Sequence, residues 1–151
     1  MGHLPHIEMF LRALRISRER LDGRSKIAID ARLLRRMLQA LAEAAPFSES
    51  FYLASNPDIA AAHAAGDVDD LRAHFVGHGY FEGRAGAAPV VDEAYYARTY
   101  PDVAEAVRRG DVESAAAHYV RSGAAEGRLP SAGVVEEVES WGAVLHGETR
   151  R

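Results

Sequence analysis

The feature that most constrains the fold of this chain is an internal repeat. Residues 47–84 align without a gap on residues 91–128 at an offset of 44, and 16 of the 38 aligned positions are identical. A period of this length is typical of proteins that use one small supersecondary unit several times. One structural interpretation must therefore account for both copies.

Capping residues predict three short helices in each repeat. In the first repeat, Ser48 is an N-cap type, Pro57 suits the first position of a second helix, and Gly66 indicates a left-handed C-cap. Asp67 then predicts the N-cap of a third helix, which Gly79 ends. The equivalent residues of the second repeat are Asp92, Pro101, Gly110, Asp111 and Gly123. The sequence Glu-Gly-Arg closes each repeat in a turn.

Two amphipathic segments precede the repeats and predict an αα-hairpin. In IEMFLRALRISRERL (7–21), the apolar stripe consists of Ile7, Phe10, Leu11, Leu14 and Leu21. After a turn around Gly23, Asp30 is an N-cap type, and the second stripe consists of Leu33, Leu34, Met37, Leu38 and Leu41. The residues expected to mediate self-association, most simply as a two-fold homodimer, are Phe10, Leu14, Leu34, Leu38 and Leu41.

No segment alternates in polarity with period two over a useful length, so the sequence predicts an all-α fold. We expect an N-terminal hairpin (1–45), two tandem three-helix repeats (46–88 and 89–130) and a weakly structured C-terminal tail (131–151). The tail has apolar residues at helical spacing, including Trp141, but three glycines interrupt it. It is predicted to form one marginal helix or a docked arm, with Trp141 as an interaction residue.

Composition excludes several classes of protein. The chain is 48% hydrophobic and 26% charged, which is ordinary for a globular protein, and it contains no cysteine, so disulfides and thiolate chemistry are excluded. Its first 20 residues lack a continuous apolar core, which predicts a cytoplasmic protein without a secretory signal or membrane insertion. Residues 1–45 carry a net charge of +4 and residues 46–130 a net charge of −6, so the basic segment suits an anionic partner or self-association.

The segments FYLASNPDIAAA, YYARTYPDVAEAVRRG and AAAHYVRSGAAEGR carry a resemblance. They resemble a bacterial helical repeat of the form Tyr-Tyr-Leu-x-x-Asn-Pro-Asp-Val-Ala, followed by His-Tyr-x-x-x-Gly-x-x-Glu-Gly-Arg. Such repeats occur beside glycosyltransferases, in secreted calcium-binding repeat proteins and in small uncharacterised proteins. The resemblance covers 82 of the 151 residues. It implies an accessory or regulatory role in surface-polysaccharide synthesis or export, with a glycosyltransferase or a glycan as partner.

The stretch HFVGHGYFEGR (74–84) places His74, His78 and Glu82 at a spacing that suits three metal ligands on one helix. In the second copy, HYVRSGAAEGR, the position of His78 is Ser122, and glycines flank His78 where a helix would have to continue. We therefore assign no metal or cofactor and keep a metal-dependent enzyme only as the weakest alternative. His78, Tyr80 and Phe81 have no equivalent in the second copy, which makes them candidate interaction residues.

Other ligands have weaker support. The carboxylates of GDVDD (66–70) suit calcium, but helix capping explains them and the later ligands of an EF-hand loop are absent. The N-terminal arginines could contact phosphates, yet they alternate with acids and lack interleaved aromatic residues, which disfavours nucleic acid. The sequence contains no nucleophile elbow and no phosphate-binding glycine loop. It therefore favours a non-enzymatic interaction or scaffold protein with a protein partner.

Overall fold

The computed structural model describes residues 5–21 and 26–146. Within these ranges the regular structure is entirely helical, with no strand, which confirms the all-α prediction. The α-helices are α1 (Ile7–Leu14), α2 (Ala31–Ala44), α3 (Glu49–Ser55), α4 (Pro57–Ala65), α5 (Leu71–Gly77), α6 (Glu93–Thr99), α7 (Pro101–Arg109), α8 (Ala115–His118) and α9 (Val135–His146). Two compact units divide the chain, unit 1 over Met1–Ala87 and unit 2 over Ala88–Arg151. The turn predicted around Gly23 lies outside the described residues.

Helix α1 is shorter than predicted, because it ends at Leu14 rather than near Leu21. Arg15 adopts a left-handed conformation (φ 55°), and its backbone N–H points back to carbonyls of the last turn. The N–H of Ile16 donates to the carbonyl of Leu11 at 3.1 Å. These bonds cap the helix in the way that a glycine usually does. The apolar periodicity of the sequence contained no signal for this stop.

The local signals at the start of the first repeat act as predicted. The Ser48 hydroxyl accepts the N–H of Phe51 at 3.3 Å and caps α3. Pro57 is the first residue of α4, and Gly66 ends that helix with φ 80°. The N–H of Ser48 also donates to the carbonyl of Gly86 at 2.9 Å, so the end of the first repeat is tied back to its beginning.

The prediction for the third helix was wrong by one turn. Asp70, not Asp67, is the N-cap of α5, and its carboxylate accepts the N–H of Ala73 at 2.8 Å. In unit 2, Ser114 rather than Asp111 caps α8. Several acidic residues in a row can each cap a helix, so local chemistry alone does not select one.

The ends of the third helices differ between the units. In unit 1, α5 ends at Gly77, and Gly79 opens a 3-10 turn over Gly79–Glu82 instead of ending the helix as predicted. In unit 2, α8 continues into a π-helical segment over Tyr119–Gly123. Both repeats then close on a left-handed glycine, Gly83 in unit 1 and Gly127 in unit 2.

Each unit has its own core, centred on a tyrosine that is fully buried. In unit 1, Tyr52 packs with residues from α2, α4 and α5, which are Ala42, Ile59, Leu71 and Phe75. In unit 2, Tyr96 packs with Val103 and Ala115, and Tyr100 and Tyr119 lie partly buried against them. The tail forms a 3-10 turn over Ala132–Val134 and then α9.

Candidate interaction surface

A tyrosine and a histidine that are identical in the two repeats form the same contact 44 residues apart. The Tyr52 hydroxyl is hydrogen-bonded to Nδ1 of His74 at 3.0 Å, and the Tyr96 hydroxyl to Nδ1 of His118 at 3.2 Å. Burial raises the pKa of both phenols above the ordinary value, so both hydroxyls stay protonated. A Cβ atom on Gly79 would collide with the Tyr52 hydroxyl. This glycine is therefore needed for the close approach of the tyrosine.

An arginine fork fastens the closing turn of each repeat. Arg84 donates to both carboxylate oxygens of Asp58, at 2.9 and 2.8 Å, and its Nε donates to Glu82 at 2.7 Å. Arg128 makes the equivalent contacts with Asp102 and Glu126. The hydrogen bonds from these arginines hold the pKa of each aspartate below its ordinary value. In each repeat this one arginine and its two acidic partners are thus occupied in holding the closing turn.

These contacts account for the residues proposed as metal ligands. The Nδ1 atom of His74 faces Tyr52, the carboxylate of Glu82 faces Arg84, and only His78 is exposed without such a role. The rings of His74 and His78 lie 5.6 Å apart. Within residues 5–21 and 26–146, no three His, Asp or Glu side chains are grouped as a metal site requires.

Helix α2 packs on the first repeat through residues that the second repeat does not have. Arg35 donates to the carbonyl of Gly77 at 2.7 Å, and its guanidinium lies 3.9 Å above the ring of Phe81. In the opposite direction, Arg72 of α5 donates to the carbonyl of Glu43 in α2 at 2.6 Å. Ala42 is only 2% exposed at this contact. The residues at the positions of Arg72, Gly77 and Phe81 in the second repeat are Ala116, Arg121 and Ala125.

This packing leaves a neighbouring stripe of α2 uncovered. Leu34, Met37 and Leu41, which we call the outer face of α2, are 42%, 42% and 52% exposed. Among the described residues, seven of the twelve exposed large hydrophobic side chains lie before residue 46. Single exposed apolar side chains are normal on a protein surface, but three along one stripe of a helix form a patch of the kind found at contact sites. The outer face is therefore the strongest candidate for a contact with another protein.

The remaining predicted interaction residues are distributed over the chain. Phe10, Leu14 and Leu38 are half-buried, which leaves little of each side chain for a partner. Tyr80 is 40% exposed and lies edge-on to Phe81, whose ring is covered by Arg35. Trp141 is 53% exposed on α9 in unit 2.

A cleft of about 450 Å³ lies at the end of α1. Leu11 and Ile16 form its apolar part, and Arg12 and Arg15 are among its charged residues. Glu19 also lines the cleft, and the pKa of its carboxyl is lowered, first by the hydrogen bond from the Ser17 hydroxyl. We call this feature the arginine cleft.

Three of these features had little or no signal in the sequence. The contact between Arg35 and Phe81 joins residues far apart in the chain, and nothing local indicates it. The left-handed Arg15 stands where glycine would be expected. The close approach of Tyr52 to Gly79 could have been suspected, because both residues recur at the same positions in the second repeat.

Comparisons with protein-family models, with curated proteins and with solved structures gave no match for this chain. None of the described helices combines the length and the apolar character that a membrane span needs. The resemblance to a bacterial repeat therefore stays a prediction from the sequence.

Proposed function

We propose that this chain is a non-enzymatic interaction or scaffold protein, which associates with a second copy of itself through the outer face of α2. The observation that carries the proposal is the fastening of one side of α2 to α5 while Leu34, Met37 and Leu41 stay exposed. A helix that is already packed and still carries an apolar stripe on its free side is typical of an interface.

The spacing of the stripe supports a two-fold arrangement. Positions 34, 37, 41 and 44 recur at intervals of three, four and three, which is the spacing of a helix-packing seam. In an antiparallel pair around a two-fold axis, Leu34 of one copy lies opposite Leu41 of the other. The exposed Ala40 and Ala44 are small enough to let the two helices approach closely. A single self-complementary surface thus suffices for the dimer.

The effect of disrupting this face can be estimated from exposure. Burying the exposed half of a leucine contributes about 1 kcal/mol. Each substitution occurs twice in a two-fold dimer, so Leu34→Gln with Leu41→Gln removes four such contributions. The loss of about 4 kcal/mol corresponds to roughly a thousandfold weaker association.

Light scattering coupled to size exclusion, over a concentration series of the full chain, tests the proposal. We expect the mass to rise from 16.4 kDa toward twice that value. The double variant should stay monomeric at every concentration. Arg32→Gln is the matched control, since Arg32 is 94% exposed and lies on the opposite side of the same helix. A monomeric wild type, or a double variant that dimerises normally, would overturn the proposal.

A further inference from the structure

Two arginines that line the arginine cleft, Arg12 and Arg15, form no ion pair with another described residue. Glu8, which also lines the cleft, forms an ion pair with Arg18, and Glu19 is engaged by Ser17. No carboxylate of the described residues pairs with Arg12 or with Arg15. Both guanidinium groups are therefore available to an external anion, next to the apolar surface of the cleft.

The backbone at Arg15 supports a role for this side chain. Among the described residues, Arg15 alone has a positive φ without being a glycine, at 55°, whereas the other positive-φ positions are all glycines. Those positions are Gly66, Gly83, Gly110 and Gly127. A glycine would adopt the same conformation without strain. Strain retained at a residue that lines a cleft is an indication of function.

We infer that the arginine cleft binds an acidic peptide segment of a partner protein, in which a carboxylate stands beside an aliphatic side chain. Arginine pairs with carboxylates through two parallel hydrogen bonds, so Arg12 and Arg15 would hold the acidic group. Ile16, which is only partly buried, would receive the aliphatic neighbour beside the buried Leu11. The inference does not depend on the proposed dimer, because α1 lies outside the outer face of α2.

The composition of the cleft favours a peptide over a nucleic acid. Glu8 and Glu19 also line it, and their charge would repel a polyphosphate backbone. Among the described residues that line the cleft, none is an aromatic side chain on which a base could stack. A single carboxylate with an apolar neighbour matches both the charge and the apolar part of the arginine cleft.

Fluorescence anisotropy with the full chain tests the inference. The probe is a labelled ten-residue peptide of glycine and serine with one Leu-Glu pair at its centre, and its copy with glutamine in place of the glutamate is the control ligand. We expect binding of the acidic peptide only, weakening as salt is raised. Arg15→Gly should weaken it about tenfold, because a charge-assisted bond is lost. The same variant should fold at least as well as the wild type, because glycine suits φ 55°.

Arg20→Gln is the matched variant, since it removes one nearby arginine that does not line the cleft. Its affinity for the acidic peptide should stay within about twofold of the wild type. Equal weakening by Arg20→Gln would show a diffuse basic surface and overturn the inference, as would equal binding of the glutamine peptide. Tighter, Arg15-dependent binding of single-stranded RNA or of vesicles with anionic lipid would also overturn it, in favour of that ligand.

Discussion

The contact between Gly79 and the Tyr52 hydroxyl makes a sharp prediction about stability. The substitution Gly79→Ala places a methyl group where the hydroxyl lies, and the ring carbon Cζ is 3.2 Å away. Overpacking of this kind costs about 1–3 kcal/mol, and a displaced hydroxyl also loses about 1 kcal/mol of hydrogen bonding to His74. Alanine recovers at most about 1 kcal/mol of backbone entropy. We expect a net loss of about 1–3 kcal/mol in the free energy of unfolding.

A double-mutant cycle separates the collision with the Tyr52 hydroxyl from any other effect of alanine at position 79. Tyr52→Phe removes the hydroxyl and should cost about 1 kcal/mol through its hydrogen bond to His74. In that background the new methyl group meets the ring carbon Cζ at 3.2 Å and the Arg84 side chain at an ordinary contact distance of 3.6 Å, so the cost of Gly79→Ala should fall to less than about 1 kcal/mol. Urea denaturation followed by circular dichroism measures each free energy, with the slope of the transition compared among variants.

The chain offers its own control two residues away. A Cβ atom on Gly77 would meet no neighbouring group within 4 Å, and the backbone there has no positive φ. Gly77→Ala should therefore leave stability unchanged or raise it slightly. If Gly79→Ala cost the same with and without the Tyr52 hydroxyl, the proposed reason for this glycine would be refuted. An equal loss from Gly77→Ala would refute it as well.

Two further predictions concern the arginines. Because Arg84 lowers the folded pKa of Asp58, the stabilisation from this pair should be complete above the ordinary aspartate pKa of 3.8 and be lost as pH falls through the lower folded value. Urea titrations at several pH values should show less acid destabilisation for Asp58→Asn than for the wild type, and an identical pH dependence would contradict this. Phe81→Ala, which gives the first repeat the alanine of the second, should loosen α2 by about 0.5–1 kcal/mol. Faster amide hydrogen exchange in α2, but not in α7, would show this loosening. Unchanged exchange in α2 would contradict a stabilising contact between Arg35 and Phe81.

Local capping chemistry explains how much of the fold the sequence could predict. Ser48 and Pro57 act within one turn of the residues that they influence, so their roles were clear without the rest of the molecule. The N-cap of α5 could not be identified from local sequence, because Asp67 and Asp70 have the same capping chemistry. With Asp70 as cap, α5 begins at Leu71, and Leu71 and Phe75 share the buried side of one helix. Tertiary packing makes that choice.

The candidate surface was predictable only in part. The apolar stripe of α2 is visible in the sequence, but which side of the helix is buried depends on Arg35 reaching Gly77 and Phe81. That contact places Leu38 partly inside and leaves Leu34 and Leu41 outside. Hydrophobic periodicity gives the width of a stripe, whereas distant contacts decide which part of it stays exposed.

The differences between the two repeats have a structural reason. The residues that both copies share build the framework, through the buried tyrosine, its histidine and the arginine fork. The residues that differ include those that receive α2, since Phe81 and Gly77 contact Arg35 while their counterparts are Ala125 and Arg121. The second repeat therefore lacks the anchors for an N-terminal helix. In the described residues the first repeat thus holds α2 through Gly77 and Phe81, while Leu34, Met37 and Leu41 of that helix stay exposed.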